Sequence, residues 1–324
     1  MSMTSTDQCS MLWRVAGRSV RGSSHERLGV PNQDALHWLP QEDLSRVVFL
    51  AVSDGHGSAK SFRSEIGSHI AVEVLTEGMH QFSETATAQS LPLPEIQQIA
   101  EESLPASLVR QWRERVEAHL AENPFTTAER ERLLGQNGEA ALAAVRRNTF
   151  LAYGATALGL MVTEQFILYL QLGDGDILTV DTDSQVTRPI PKDERLFADQ
   201  TTSLCSPDAW LDFRARFDTD LTSLPSLILL STDGYANSFQ EESGFLQVGS
   251  DLNKMIHEQS WEIVTNNLED WLMEASRLGS GDDITVGLVA LLSDSRNRSS
   301  DEQSLPSTSS LKRSSLSFLP WRSV

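Results

Sequence analysis

Four short apolar runs in this chain each carry acid at one end, and those acids are the residues best placed to do chemistry. Residues 47–52 are uninterruptedly apolar and run into Ser-Asp-Gly-His-Gly, which sets Asp54 and His56 among glycines at a strand mouth. Residues 227–230 run into Ser-Thr-Asp-Gly with Asp233, and residues 166–172 run into Gly-Asp-Gly-Asp with Asp174 and Asp176. A fourth stretch inverts the order, with Gly281-Asp282-Asp283 leading into residues 284–292. If the four ends converge they form a carboxylate cluster suited to hard divalent cations with oxygen ligands, such as Mg²⁺ or Mn²⁺. An imidazole beside such a cluster can move a proton.

The elements that must position these residues are legible from pattern. Runs so short and so rich in β-branched types predict strands covered on both faces. Further strands are predicted over 13–19, 35–39, 155–162 and 177–180, with a glycine-punctuated loop over 22–34 that holds His25, Arg27, Asn32, Gln33 and Asp34. Ala59, Phe62, Ile66, Ile70 and Val74 fall at near-helical spacing after the DGHG turn and predict an amphipathic helix packed on the sheet. Residues 94–149 read as helices divided at Pro105 and Pro124, with Thr126 and Glu129 as a capping box. Residues 181–222 keep no period and predict an irregular excursion, a candidate lid, while 251–277 predict one helix with Val264, Leu268, Leu272 and Ala275 on a single face. An Asp-Gly pair after a strand most often closes a hairpin, and 166–172 and 177–180 flank Asp174-Gly175 as its arms.

Composition narrows the function classes. The 324 residues carry 26 Lys and Arg against 45 Asp and Glu, for a net charge of −19. The Ser-rich stretch from 293 to 324 holds five of the basic and three of the acidic residues, which leaves −21 on residues 1–292. Such a body repels nucleic acid and anionic membrane surfaces, so neither is expected as a partner. No apolar run approaches the roughly 20 residues of a membrane helix, and the first ten residues lack the pattern of a secretory signal, so a cytoplasmic location is expected. Cys9 and Cys205 are too few for a disulfide framework. One large domain over 1–292 followed by a disordered tail over 293–324 is the expected organisation.

Taken together, NQD at 32–34, DGHG at 54–57, GATAL at 154–158, GDGD at 173–176, STDG at 231–234 and GDDITVGLV at 281–289 resemble the type 2C family of metal-dependent protein serine/threonine phosphatases, in that family's order. The resemblance implies an α+β fold, two antiparallel β-sheets in a sandwich flanked by helices (α-β-β-α), with two Mg²⁺ or Mn²⁺ ions at one end and a third bound more weakly. By the same resemblance Asp54 and the Gly55 carbonyl, with Asp233 and Asp282, would bind the metal pair, and Asp174 would join Asp233 around the third ion. Asp34 would orient metal-bound water and His56 would act as general acid. The implied substrate is a phosphoprotein, with a Ser/Thr kinase as functional counterpart.

Three departures stand out. Gln33 is neutral where the family commonly has an acid, Asp283 stands where it has asparagine, and Gly29 takes the place of its phosphate-binding arginine. Arg27 in the same loop is the expected replacement, with His25 and Arg21 as alternatives. Two rival readings remain on sequence. One is a catalytically weak phosphatase fold used as a regulatory or binding module. The other is a haloacid-dehalogenase-type phosphatase with an Asp174-Gly175-Asp176 nucleophile motif, which would pass through a covalent phospho-aspartate.

Overall fold

In the computed structural model, residues 11–42, 44–195 and 201–292 are described. The strands are β1 (Leu12–Val20), β2 (Ala35–Leu39), β3 (Val48–Ser53), β4 (Ala157–Val162), β5 (Ile167–Leu172), β6 (Asp176–Val180), β7 (Val186–Thr187), β8 (Arg214–Asp218), β9 (Leu227–Ser231) and β10 (Ile284–Leu292). They form two five-stranded sheets, ordered β1-β10-β9-β6-β7 and β2-β3-β4-β5-β8. Every pairing is antiparallel.

Alternation along the strands explains why their sequences are apolar throughout. In β3, Val48, Leu50 and Val52 point into the layer between the sheets, while Phe49 and Ala51 point outward to the helices. β9 divides likewise, with Ile228 and Leu230 inside the sandwich and Leu227 and Leu229 beneath helices. Both faces of each central strand are therefore dry, and no polar position is left to mark the period.

Helices close both outer faces. On one side lie α2 (Ser64–Ala88), α3 (Leu93–Gln98), α4 (Leu104–Glu122) and α5 (Thr127–Arg147). On the other lie α8 (Glu242–Glu258) and α9 (Trp261–Leu278), and the short helices α1 (Ser23–Leu28), α6 (Ala209–Asp212) and α7 (Asp233–Ala236) sit in connections. The expected α-β-β-α sandwich is thus the observed fold.

Several local expectations give way to tertiary structure. β5 and β6 are not hairpin arms: they belong to different sheets, and Asp174-Gly175 is the corner where the chain crosses between them. Six residues of the 22–34 loop are helical. The single helix read over 251–277 is two helices, parted where Ser260 Oγ caps Ile263 N at 3.2 Å. The 181–222 excursion contributes β8, which completes one sheet edge against β5. Pro105 does not break the chain, because it falls in the first turn of α4, where no backbone N–H is needed, and a π-helical turn over Ile99–Ser103 leads into it. The Thr126–Glu129 capping box forms as expected. The Ser-rich segment from 293 and Cys9 lie outside the described residues.

Candidate active site

Sheet register brings the acidic ends together. Ala35 pairs with Ser53, Val286 with Ser231 and Asp176 with Ser231, so the ends of β2, β3, β6, β9 and β10 that carry acid lie at one end of the sandwich. A cavity of about 680 Å³ opens there, lined by Asp54, Gly55, His56, Asp174, Asp233 and Asp282, with His25, Gln33, Lys60 and Asp283 around them.

Each functional side chain is fixed by its backbone. Thr156 clips Asp54 from both sides: its Oγ1 accepts from Asp54 N at 2.9 Å, and its own N–H donates to Asp54 O at 2.8 Å. Gly55 N donates to Gln33 O at 3.1 Å and His56 N to Gly154 O at 3.0 Å. A Cβ at Gly154 would stand 2.6 Å from His56 Cδ2, so a larger residue there would displace the imidazole. Asp34 is buried behind Asp54 and accepts from Thr232 Oγ1 at 2.7 Å, while Thr232 Oγ1 accepts from Thr285 N at 2.9 Å. Asp233 opens α7 and accepts from Asn237 Nδ2 at 2.9 Å. The turn after it packs so closely on β10 that a Cβ at Gly234 would fall 2.1 Å from Asp283 O.

Asp282 and Asp283 have different fates. Asp282 is half exposed toward the cavity, whereas Asp283 is buried and accepts from Gly22 N at 2.6 Å and from Gln33 N at 2.7 Å. His25 Nδ1 stands 2.9 Å from Asp283 Oδ2 and Nε2 stands 3.6 Å from Asp282 Oδ1. The buried Nδ1 has no hydrogen bond among the described residues despite the nearer contact. The extra charge of Asp283 is therefore spent on tying the Gly22 and Gln33 backbones to β10. Asp176 is likewise structural, since Arg188 Nε donates to it at 2.6 Å.

The electrostatics are those of carboxylates short of positive charge. Burial, then the charges of Asp34 and Asp233, pushes the Asp54 carboxyl well above its ordinary range. Asp34 is also raised well above it, by burial and by Asp283 and Asp233 against the Thr232 hydrogen bond, and Asp233 is raised by burial and by Asp174. Burial lowers the His56 imidazole, with the Asp174 charge partly opposing it. Protonation or a bound cation relieves such a cluster. The donors fit a hard cation: they are carboxylate and carbonyl oxygens, burial raises the Cys205 thiol that also lines the cavity and so disfavours its thiolate, and the buried Gln33 Oε1 on the cavity wall has no hydrogen-bond partner among the described residues. The nitrogen and oxygen donors of His25, Asp282 and Asp283 lie within 4.8 Å of one another.

Of the residues singled out in the sequence, Asp54, Gly55, His56, Asp174, Asp233, Asp282 and His25 meet at the cavity, with Asp34 directly behind. Arg27 does not. It is two residues beyond His25 in α1, a step of about 200° around a helix, so it faces away, exposed, and donates to Ser24 Oγ at 2.9 Å. Arg21 is turned away too, donating to His25 O at 3.0 Å and lining a separate cleft with Glu26 and Asp270. Sequence reasoning missed Lys60, the one Lys or Arg among the described lining residues, and the two positioning threonines, Thr156 and Thr232. Both threonines lie inside the GATAL and STDG motifs, which was the available signal.

The fold recurs among known proteins. Solved structures with the same fold include an Arg-to-Lys variant of a bacterial serine phosphatase, 16% identical over 86% of this chain and 98% of that one, with a TM-score of 0.52. PppA, a regulatory component of the type VI secretion system in Pseudomonas aeruginosa, is 17% identical over 86% of this chain and 98% of its own, with a TM-score of 0.50. At such identities the likeness is one of fold alone. No curated protein matches the chain. The family model described as Protein phosphatase 2C matches residues 21–273, and the chain therefore belongs to the protein phosphatase 2C family.

Proposed function

We propose that this chain is a metal-dependent phosphoprotein phosphatase acting on phosphoserine and phosphothreonine, with a Ser/Thr kinase as its counterpart. The observation that carries the proposal is the meeting of Asp54, Asp174, Asp233 and Asp282 in one open cavity whose only lysine or arginine among the described residues is Lys60. Asp54, the Gly55 carbonyl, Asp233 and Asp282 would hold a pair of Mn²⁺ or Mg²⁺ ions, and Asp174 would join Asp233 around a third. Bound there, such ions supply a water of lowered pKa and positive charge for the phosphoryl oxygens.

The chain's own residues would do the rest. Asp34, held by Thr232, is an acceptor fixed to orient the attacking water. Lys60 takes the place of the missing arginine as the cation for the outer phosphate oxygens. His56 gives a proton to the departing seryl or threonyl oxygen. The antiparallel sheets and the engagement of Asp176 by Arg188 argue against a dehalogenase-type nucleophile.

The test is hydrolysis of p-nitrophenyl phosphate and of phosphoserine and phosphothreonine peptides with Mn²⁺ and with chelator. Turnover that requires Mn²⁺ and leaves no phosphorylated protein is expected; metal-independent turnover or none would overturn the proposal. The neutral Gln33 and the lack of a cavity arginine among the described residues favour one second reading, a low-turnover module that binds phosphoproteins. Tight phosphopeptide binding without turnover in the same assay would select it.

A further inference from the structure

A second cavity, of about 300 Å³, lies under α5. Its walls are Phe62 just before α2, Leu120 of α4, Pro124 and Phe125, and Leu133, Leu142 and Val145 of α5. The space exists because Gly138 (φ 74°, ψ −177°) breaks α5, so Leu133 and Leu142 reach the cavity from two helical pieces that meet at a kink. Phe62 and Phe125 stand edge to face with centroids 5.2 Å apart, and Arg63 lies over the Phe125 ring at 4.8 Å from its centroid, so the rings at this cavity are held in fixed positions.

The polar groups at this cavity are Arg130, Arg146 and Thr149. Arg130 donates to Phe125 O at 2.6 Å and keeps further N–H groups. Arg146 is exposed and has no hydrogen bond or ion pair among the described residues, in a chain of net charge −19 where carboxylates are plentiful. An apolar cavity at the lower end of the size range for small-ligand sites, with two guanidiniums on its margin, fits an apolar body with one anionic head.

Two of its walls continue into the active site. Phe62 follows Ser61, which lines the catalytic cavity. Thr149 begins the 3₁₀ turn Thr149–Tyr153, whose Leu151 lines the catalytic cavity and which leads to Gly154 beneath His56. We propose that this cavity is an effector site for a small aromatic carboxylate, its ring among Phe62, Phe125, Leu133 and Leu142 and its carboxylate at Arg146 and Arg130. Occupancy is transmitted to the active site along the Ser61–Phe62 and Thr149–Gly154 backbones.

The experiment uses 1-naphthoate with the full chain, in the absence of metal and phosphate substrate, so that its outcome does not depend on phosphatase activity. Calorimetry should give one saturable site, and Arg146→Glu should weaken naphthoate binding at least tenfold while leaving binding of the neutral analogue 1-naphthalenemethanol unchanged. A Leu142→Phe variant that fills the cavity, checked for folding by circular dichroism, should lose both ligands. Hydrogen exchange of the amides in 58–61 and 149–154 should slow several-fold on binding in wild type and not in Arg146→Glu. Absence of saturable binding, or equal naphthoate affinity in wild type and Arg146→Glu, would overturn the site. Binding without a change of exchange in those two segments would overturn its link to the catalytic cavity.

Discussion

At the scale of single residues, His56 and Lys60 make separable claims. The proton from His56 matters in proportion to how badly the leaving group needs one. A seryl alkoxide needs it, whereas p-nitrophenolate departs as the anion. His56→Ala is therefore expected to lower kcat on a phosphoserine peptide by about 10²-fold or more while changing p-nitrophenyl phosphate turnover far less; equal losses on both substrates would remove the general-acid role. Lys60 is exposed, so its charge is partly screened. If it holds the phosphate equally in ground and transition states, Lys60→Ala raises KM for a phosphopeptide about tenfold with kcat little changed. Arg27→Ala, with its side chain on the outer face of α1, should change neither. The acids proposed to hold metal were legible because each sits in a short motif at a strand end. The lysine proposed for the phosphate was not, because one lysine carries no pattern, and the assumption of an irregular 22–34 loop hid the helix that turns Arg27 outward.

At the scale of elements, the central strands were legible to within a residue or two because burial on both faces leaves an unbroken apolar run, whereas the part-exposed β7 and β8 were hidden in the stretch read as irregular. The pairing of the central strands was not legible. Local pattern cannot tell a hairpin from a corner between two sheets, and only the partners of β5 and β6 decide it. The junction of α2 and α5 was equally invisible, since Arg63 looks like any surface arginine in sequence. In the structure it is buried and reaches Glu129 at 2.7 Å, Asn123 O at 2.6 Å and Tyr153 Oη at 2.8 Å. Partial burial by itself would raise the Glu129 carboxyl, but hydrogen bonds from Arg63 and from Thr126 hold it at about 2. Arg63→Ala leaves that carboxylate with only its Thr126 donors and takes a donor from the Asn123 and Pro124 carbonyls, and should cost about 1–3 kcal/mol, read by urea unfolding. A depressed carboxylate stabilises the fold above its unfolded pKa, near 4.3, and this stability is lost as pH falls toward about 2. The wild-type melting temperature should drop across that window more steeply than that of Arg63→Ala. Parallel pH curves would show that the pair contributes little.

At the scale of the whole molecule, the acidic end of the sandwich is a site where stability and activity pull apart. Asp34, Asp54 and Asp233 have carboxyls raised by burial and by each other. A carboxyl whose folded pKa exceeds its unfolded value, near 3.9, costs nothing below that value. It destabilises the fold increasingly as pH rises toward the folded pKa, because ionisation in the cluster is penalised and ionisation in the unfolded chain is not. The metal-free protein should therefore lose stability as pH rises from about 4 to 7, and Mn²⁺ should restore it by binding only the folded state. Asp54→Asn removes one of the charges while preserving shape and much of the hydrogen bonding. At pH 7 without metal its melting temperature should exceed that of wild type, and the difference should shrink toward pH 4. With saturating Mn²⁺ the order should reverse, and turnover should fall below about a tenth of wild type. Scanning calorimetry at several pH values, with and without Mn²⁺, reads all of these. A variant less stable than wild type without metal at pH 7, or one stabilised by Mn²⁺ as much as wild type, would mean that Asp54 is a structural carboxylate and that the cation site lies elsewhere.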